Sequence, residues 1–455
     1  MCTEIKTIFL PNIVSTKILR EAISSVTSNF FILSTKRDVV YGKHMSSRFV
    51  QIADIYDANF LYSDHYIIKG NGDSCESSSG IIEAAPVIDY QKGSLRDDFD
   101  FGAVRFFRTD VVRRIVGEMD VDYEYGALYD LTLRLSRIDG PGKSIYHINE
   151  PLYSEYELDR RRSGEKIFDY VDPKNANIQK EMERIATAHL KAVGAFLKPV
   201  LEKCEYSLEF PREVSVVIPV FNRRATIAQA IASALRQKTK FSYNIIVVDN
   251  HSTDGTGEII DALKDVCPSK ILHLLPEINT LGIGGCWNEA CENKDCGRFA
   301  VQLDSDDTYS DDNVLQTIVD KFYQTGAGMV IGSYRMTDFD ENVLPAGIID
   351  HKEWTPENGH NNALRINGLG APRAFYTDIV RKILFPNVSY GEDYAMALRI
   401  SSNYKIARIY DVLYNCRRWN GNSDASLSRE KMNRYNYYKD SIRSLELEYR
   451  KKIND

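Results

Sequence analysis

Arg298 to Asp307 reads RFAVQLDSDD, an apolar run of strand length that passes directly into a turn holding three carboxylates. Upstream, Val214 to Val220 reads VSVVIPV, a continuous β-branched run ending at Phe221-Asn222-Arg223 and followed by a helical stretch from Ala225 to Arg236. Such unbroken runs are the pattern of strands buried on both faces. Ile245 to Val248 is a third run, ending in Asp249-Asn250-His251-Ser252-Thr253-Asp254-Gly255, where Ser252 or Thr253 is placed to cap a helix reaching Leu263. Strand alternating with helix predicts an α/β domain with a mostly parallel sheet. Ligands of such sheets bind beyond the carboxyl ends of the strands, so the tips Phe221-Asn222, Asp249-Asn250 and Asp304 to Asp307 are expected at one edge.

Asp304 and Asp306 are separated by one residue after a buried strand. Two carboxylates so placed can share a hard divalent cation with diphosphate oxygens. A helix cap or a calcium loop could also call for acids here. Ser310-Asp311-Asp312 reads as a capped helix start, which accounts for the later acids but leaves Asp304 and Asp306 outside it. A calcium loop of the EF-hand type wants Gly sixth and Glu twelfth, where this chain has Tyr309 and Leu315. A further acidic pair, Glu392-Asp393, follows Gly391 at the start of a helix expected over Asp393 to Ser401. That position also suits a purely structural pair held by the helix dipole.

The chain resembles itself at a separation of about 265 residues. FFRTDVVRRI (Phe106 to Ile115) matches AFYTDIVRKI (Ala374 to Ile383), and YGALYDLTLRLS (Tyr125 to Ser136) matches YGEDYAMALRIS (Tyr390 to Ser401). Each is followed by an apolar strand ending in Leu-Tyr, Leu152-Tyr153 or Leu413-Tyr414, and Ala58 to Ile67 sits where Gly328 to Asp338 would fall. The copies part company at the acids: Glu392-Asp393 is Ala127-Leu128 in the first, and Asp130 would point elsewhere on its helix. A duplicated half-domain that lost its carboxylates accounts for this pattern. Between the copies lies a polar stretch, Glu155 to Pro173. Asn177 to Lys198 then carries Ile178, Met182, Ile185, Val193 and Leu197 at helical spacing, predicting an amphipathic connecting helix.

Composition bounds the rest. The 455 residues suggest two or three domains, and 43% hydrophobic with 27% charged residues is ordinary for a globular chain. No stretch approaches the roughly 18 uncharged apolar residues of a membrane helix, and the start at Met1 lacks a leader pattern, so a cytoplasmic chain without an integral membrane segment is expected, with peripheral membrane association left open. A formal charge of −7 without a Lys/Arg block argues against nucleic acid as partner. The eight cysteines form no C-x-x-C pair or zinc cluster and are expected to be buried free thiols.

VSVVIPVFNR, VVDNHSTDGT, LGIGGCWNEA, QLDSDD and YGEDYAMALR together resemble, in order and spacing, the motifs of family 2 glycosyltransferases, which are inverting enzymes of the GT-A fold. The resemblance implies a Rossmann-like, mostly parallel sheet with helices on both faces. It implies that Pro219, Val220, Phe221, Asn222, Asp249, Asn250 and Gly282 lie on the donor nucleotide, and that Asp304 and Asp306 hold Mn2+ or Mg2+ with Ser305 beside the donor. Asp393 becomes the catalytic base, with Glu392 next to it. The family often has a second aspartate where this chain has Asn250. Asn415-Cys416-Arg417-Arg418-Trp419 resembles the Q-x-x-R-W element of processive members with Asn for Gln, which puts Arg417 or Arg418 near the diphosphate and Trp419 on a sugar face; ion pairing at a domain seam is the alternative. Gly368 to Pro372 resembles an acceptor-side loop, with Gly370 and Ala371 approached by sugar, although a simple turn accounts for it nearly as well. Relatives often supply a histidine to the metal in this region. None follows His360 here, so water and donor oxygens are expected in its place. His351 and His360 are expected at the surface, Trp287 in the core, and Trp354 is a candidate for stacking on sugar.

The chain thus divides into a degenerate GT-A-like half-domain (1–154), a linker with the connecting helix (155–210), a catalytic GT-A domain (211–427) and a charged terminal helix (428–455). The expected reaction moves a sugar from a nucleoside-diphosphate sugar, UDP before GDP, to a hydroxyl of a glycan, lipid-linked or peptide acceptor. The first half would shape the acceptor site or a homo-oligomer interface. A nucleotidyltransferase is the rival enzyme, but PVFNRRAT lacks the glycine-rich loop of that class. A non-catalytic sugar- or partner-binding module is the third reading, and retention of Asp304, Asp306 and Asp393 disfavours it.

Overall fold

The computed structural model describes residues 5–69, 81–138, 144–157, 175–419, 422 and 427–455. The chain divides into two compact units, Met1–Phe196 with Ser426–Asp455, and Leu197–Ala425.

The first unit opens with β1 (Lys6–Phe9), α1 (Thr16–Ser24), β2 (Phe30–Ser34), β3 (Val39–Tyr41) and α2 (Met45–Tyr56). Next come β4 (Phe60–Ser63), β5 (His65–Lys69), β6 (Ile81–Ala85), β7 (Val104–Arg108), α3 (Thr109–Gly117) and α4 (Ala127–Leu135). β8 (Ile145–Ile148), β9 (Tyr153–Tyr156) and α5 (Ala176–Ala192) follow. Its main sheet has the order β1-β2-β7-β4-β8, and alternate residues of its strands enter two separate cores. Phe31, Leu33 and Phe107 meet α1, α3 and α4 through Leu19, Val112 and Leu131; Ile32 and Phe106 meet α2 through Met45 and Phe49. The period-two alternation of a strand thus builds a three-layer unit.

The second unit contains β10 (Val214–Val220), α6 (Ile227–Leu235), β11 (Tyr243–Asp249), α7 (Thr256–Val266), β12 (Ile271–Leu274) and α8 (Ile283–Glu292). β13 (Phe299–Gln302), β14 (Thr308–Tyr309), α9 (Val314–Thr325), β15 (Met329–Thr337), β16 (Val343–Ile349) and the short α10 (Gly359–Asn362) come next. β17 (Arg373–Tyr376), α11 (Thr377–Ile383), α12 (Glu392–Asn403) and β18 (Ile406–Arg417) complete it. The nine-stranded sheet runs β12-β11-β10-β13-β17-β15-β18-β14, with β16 on β15. It is parallel over its first four strands and mixed beyond them, because β17 lies antiparallel to both β13 and β15. A mostly parallel sheet is therefore realised in the β12-to-β13 half. All three expected strands are present and their tips share the carboxyl edge.

The first unit's strands pair in the directions of the second's: β1 with β2 parallel, β2 with β7 and β7 with β4 antiparallel, β4 with β8 parallel. In the second unit β10 with β13, β13 with β17, β17 with β15, and β15 with β18 repeat that series. The backbone contact of α1 on the turn before α4, Thr16 N to Tyr123 O at 2.9 Å, has a counterpart in Gly284 N to Val388 O at 3.0 Å. Nothing among the described residues of the first sheet stands where β11 and β12 stand, since β1 is its edge.

Several local expectations change. The helix after β11 begins at Thr256 behind Gly255, because Asp254 Oδ1 takes the Thr256 N–H at 3.1 Å while Ser252 and Thr253 serve the preceding loop. Ser310 is not a helix cap: its hydroxyl donates to Val412 O at 2.7 Å and α9 starts after Asn313. His351 and His360 are buried, not surface residues; His360 Nε2 meets Leu197 O at 2.9 Å and His351 Nδ1 meets Glu353 at 2.7 Å, so hydrogen bonds offset their burial. Trp287 packs between Phe375 and Phe385, and Trp354 is likewise buried, against Gly359. Of the cysteines, Cys286, Cys291 and Cys296 are buried but Cys204, Cys267 and Cys416 only partly so; Cys2 and Cys75 lie outside the described residues, as does most of the polar stretch to Pro173. No helix among the described residues is long and apolar enough to cross a membrane.

The stretch expected as linker supplies α5 to the first unit. Buried Glu181 on it accepts backbone N–H bonds from Glu124, Tyr125 and Gly126 at 2.6–2.9 Å, closing the start of α4. The terminal helix α13 (Arg429–Asn454) belongs to the same unit. Its Asp440 is fully buried and accepts from Ser94 Oγ at 2.9 Å, Arg96 Nε at 3.2 Å and Arg443 Nη1 at 2.7 Å. Removing one member of a buried ion cluster strands the others, so Asp440→Ala is expected to destabilise the first unit by about 3–5 kcal/mol. Leu445→Ala, at an exposed position of the same helix, should stay within about 0.5 kcal/mol. Amide hydrogen exchange in the first unit measures both.

Candidate active site

The acidic turn is fixed by groups that the chain brings from far away. Asp304 N donates to the buried Tyr414 hydroxyl at 2.9 Å, and its carboxylate receives Gln302 Nε2 at 3.0 and 2.9 Å. Asp307 accepts Arg417 N at 2.7 Å, while the Arg417 guanidinium reaches Asp306 O and Gln229 Oε1. Asp306 Oδ2 faces Trp419 Nε1 at 3.1 Å, Asn422 Nδ2 at 3.3 Å and Arg223 Nε at 3.8 Å. Burial first, and then the neighbouring carboxylates, raise the Asp307 carboxyl well above its ordinary range; burial raises Asp304 as well, partly offset by Arg373. Three acids packed in one turn therefore repel each other in a place where water does little to screen them.

A chain of polar contacts joins this turn to the start of α12. Gln302, having donated to Asp304, accepts Arg373 N and Nε, both at 3.1 Å, and Arg373 Nη1 donates to Asp393 Oδ2. The partly buried Arg373 guanidinium thus stands between Asp304 and Asp393. Glu392 is buried with Oε2 lacking a partner among the described groups; burial first, then Asp393, pushes its carboxyl up to about 8. The helix begins here because Gly391 adopts φ +84°, a left-handed turn that suits glycine. α8 comes close to Glu392 because Gly284 has no side chain: a Cβ there would lie 2.0 Å from Pro386 O.

The remaining expected residues spread along the same edge. Val220 is buried, Pro219 half-buried and Phe221 half exposed at the end of β10. Asn222 holds the loop after β11 through Oδ1, which accepts Thr253 N at 2.8 Å. Asp249 is buried; Oδ1 accepts Ser252 N at 2.8 Å and Oδ2 lies 3.6 Å from His273 Nε2. Asn250 donates to Leu281 O at 2.8 Å, next to Gly282, whose own N–H goes to Asn387 Oδ1 at 2.7 Å. Ser305 is buried and its carbonyl accepts Thr226 Oγ1. Of the two arginines, Arg417 is built into the acidic turn, while Arg418 N pairs with Thr337 O at 2.7 Å. Gly370 takes φ +100° and Ala371 precedes a cis proline at the end of the loop into β17. Asp304, Asp306, Asp393, Arg417 and Trp419 are thus linked through polar contacts, Glu392 adjoins Asp393 at the start of α12, and the β10 and β11 tips line the same edge.

Gln302, Arg373, Tyr414, Gln229 and Asn422 join the site without having been expected from the motifs. Arg373 had a signal: Arg105 precedes the first FFRTD just as Arg373 precedes AFYTD. Among the described residues no three His, Cys, Asp or Glu side chains converge as a complete metal cage. Two carboxylates in a repulsive, buried turn fit a hard dication that takes its other oxygens from water or phosphate.

Parallel strands ending in an acidic turn, facing a carboxylate at a helix start, make an α/β domain with its polar groups at the carboxyl edge of the sheet. Residues 215–379 match the profile described as glycosyl transferase family 2. The chain is similar to glycosyltransferase GlyG of Streptococcus pneumoniae, 30% identical over 28% of this chain and 40% of that one. It is also similar to the UDP-Glc:alpha-D-GlcNAc-diphosphoundecaprenol beta-1,3-glucosyltransferase WfaP of Escherichia coli, 29% identical over 42% of this chain and 70% of that one. Among solved structures it resembles S. aureus TarS 1-349 in complex with UDP-GlcNAc, at 20% identity and a TM-score of 0.39 over 48% of this chain and 61% of that one. The chain spans at most 40% of the length of several curated relatives it matches.

The raised Glu392 carboxyl has a thermodynamic signature. A folded-state value of about 8 against 4.5 means that the group's contribution is complete below the unfolded value and falls away as pH rises through the folded one. Wild type is therefore expected to lose stability between about pH 5 and pH 8 relative to Glu392→Gln. All three tryptophans, Trp287, Trp354 and Trp419, lie in the second unit, so urea unfolding followed by tryptophan fluorescence reports it. Parallel pH profiles for the two proteins would contradict the assignment.

Proposed function

We propose that the second half transfers a glycosyl group from a nucleoside-diphosphate sugar to an acceptor hydroxyl with inversion at the anomeric carbon. The observation that supports this most is the polar chain Asp304–Gln302–Arg373–Asp393, which ties a diphosphate-side acidic turn to a potential base. Asp306 with Asp304 would hold Mn2+ or Mg2+, which supplies charge stabilisation to the departing diphosphate. The tips of β10 and β11, with Phe221, Asn222 and Asp249, are the proposed nucleoside side. Asp393 takes the proton of the acceptor hydroxyl as the hydroxyl oxygen forms the bond to the anomeric carbon, and the electron pair of the broken bond leaves with the diphosphate. Arg373 orients Asp393 for that step through their ion pair. Glu392, protonated at neutral pH, adds no second negative charge beside it. A UDP-sugar is the first candidate donor and a GDP-sugar the next, and the WfaP likeness makes a lipid-diphosphate-linked saccharide a candidate acceptor alongside glycans and peptides. The first half is a non-catalytic companion related to the second by duplication.

Thermal-shift titration with nucleotide sugars, with and without manganese, tests donor binding, since a ligand of the folded state raises its apparent stability. Asp306→Ala should lose both the shift and transfer. Asp393→Asn should keep the shift while turnover falls by about 10²–10⁴-fold. Transfer that survives in Asp393→Asn would reject the assigned base, and silence toward every donor would favour a non-catalytic module.

A further inference from the structure

The first unit repeats the pairing series of the second but not its acids. In the register set by β2 on β7 and β13 on β17, Thr35, Lys36 and Arg37 fall where Asp304, Ser305 and Asp306 stand. Lys36 pairs with Glu155 at 2.7 Å and Arg37 lies over the Phe9 ring at 4.4 Å, so this corner carries positive charge of its own. Ala127 and Leu128 replace Glu392 and Asp393, and no strands among the described residues match β11 and β12. The donor half is gone. What persists is the other half, where the connection from β4 to β7 corresponds to that from β15 to β17.

There the first unit has an open groove of about 420 Å³ at the carboxyl ends of parallel β4 and β8, within the usual volume range for small-molecule sites. Its floor is a built polar group. His147 is buried, with Nδ1 2.9 Å from Asp89 Oδ1 and Nε2 2.9 Å from Asp64 Oδ1, and Tyr62 stacks on its ring at 5.0 Å. Asp64 Oδ1 is further fixed by Val87 N at 2.9 Å. Glu430, Asn433, Arg434 and Tyr437 from α13 form the opposite wall, and Tyr437 is 47% exposed. Carboxylates, a guanidinium, an amide and an imidazole alternate around the groove beside one aromatic face. Such a lining disfavours a phosphate, which meets Asp89 and Glu430, and the described groups there make no metal cage. It suits a neutral ligand with many hydroxyls and one apolar face.

We propose that this pocket is a non-catalytic carbohydrate site that holds a single hexose unit. Its identification with the acceptor glycan rests on the transferase reading, whereas the binding itself does not.

Saturation-transfer difference NMR of the full chain with glucose, galactose, N-acetylglucosamine and N-acetylgalactosamine, each in turn, tests it. At least one hexose should receive saturation. That signal should fall about fivefold or more in both Asp89→Ala and Tyr437→Ala, whose side chains are half exposed, and stay unchanged in Asp306→Ala and Asp393→Asn. No signal from any of the four hexoses, or one kept in Asp89→Ala and Tyr437→Ala, overturns the proposal. The manganese-dependent donor shift is read separately on the same variants and should persist in Asp89→Ala and Tyr437→Ala. Loss of hexose signal alone therefore condemns the pocket, and loss of the donor response in wild type condemns the transferase reading.

Discussion

A partly buried guanidinium holds the candidate site together. Arg373 lies between Gln302 and Asp393 on the strand that runs against the direction of its neighbours, and it offsets the charge of acids that would otherwise repel one another. A buried charge needs partners. Here the partners are contributed by β13 and the start of α12, so satisfying one arginine fixes the spacing between the acidic turn and Asp393. Tyr414 and Arg417 of β18 perform the same service for the other side of the turn.

Much of this is legible in the sequence. Unbroken β-branched runs such as VSVVIPV announce strands buried on both faces, and their polar ends announce an edge. Register with β17 is not, because an antiparallel strand inserted between parallel neighbours leaves no mark in local periodicity. The partners of Asp306 are hidden for a related reason: Arg223, Trp419 and Asn422 come from distant segments and meet only after the sheet forms. The buried histidines differ from their expected surface positions because their sequence surroundings are polar. His360 is drawn inside by the Leu197 carbonyl, a contact between residues more than 160 positions apart, and by Asn361 beside it. Helix starts after β11 and after the acidic turn fall a few residues from where capping patterns put them, because serine and aspartate side chains there stabilise loops instead of caps.

The two units show what each half of the architecture requires. The five-strand series survives in both, and with it Arg105 and Arg373 at the same register. In the first unit the arginine has no aspartate at the equivalent of position 393 and instead donates to Asn12 Oδ1 at 2.7 Å. The pairing series thus forms with or without the acids, whereas the chemistry proposed for the second unit needs them. The first unit also has stabilising parts of its own, with Glu181 closing the start of α4 and Asp440 gathering Ser94, Arg96 and Arg443.

The proposed chemistry turns on a divalent cation held by the acidic turn at the start of the path that leads to Asp393. Crystals grown with uridine diphosphate and manganese, measured at the manganese absorption edge, address it directly. The expected result is one anomalous peak in contact with the Asp306 carboxylate and a diphosphate oxygen, on the side of the turn that opens toward Asp393. A peak elsewhere on the molecule, or a bound nucleotide with no manganese at the turn, would contradict it.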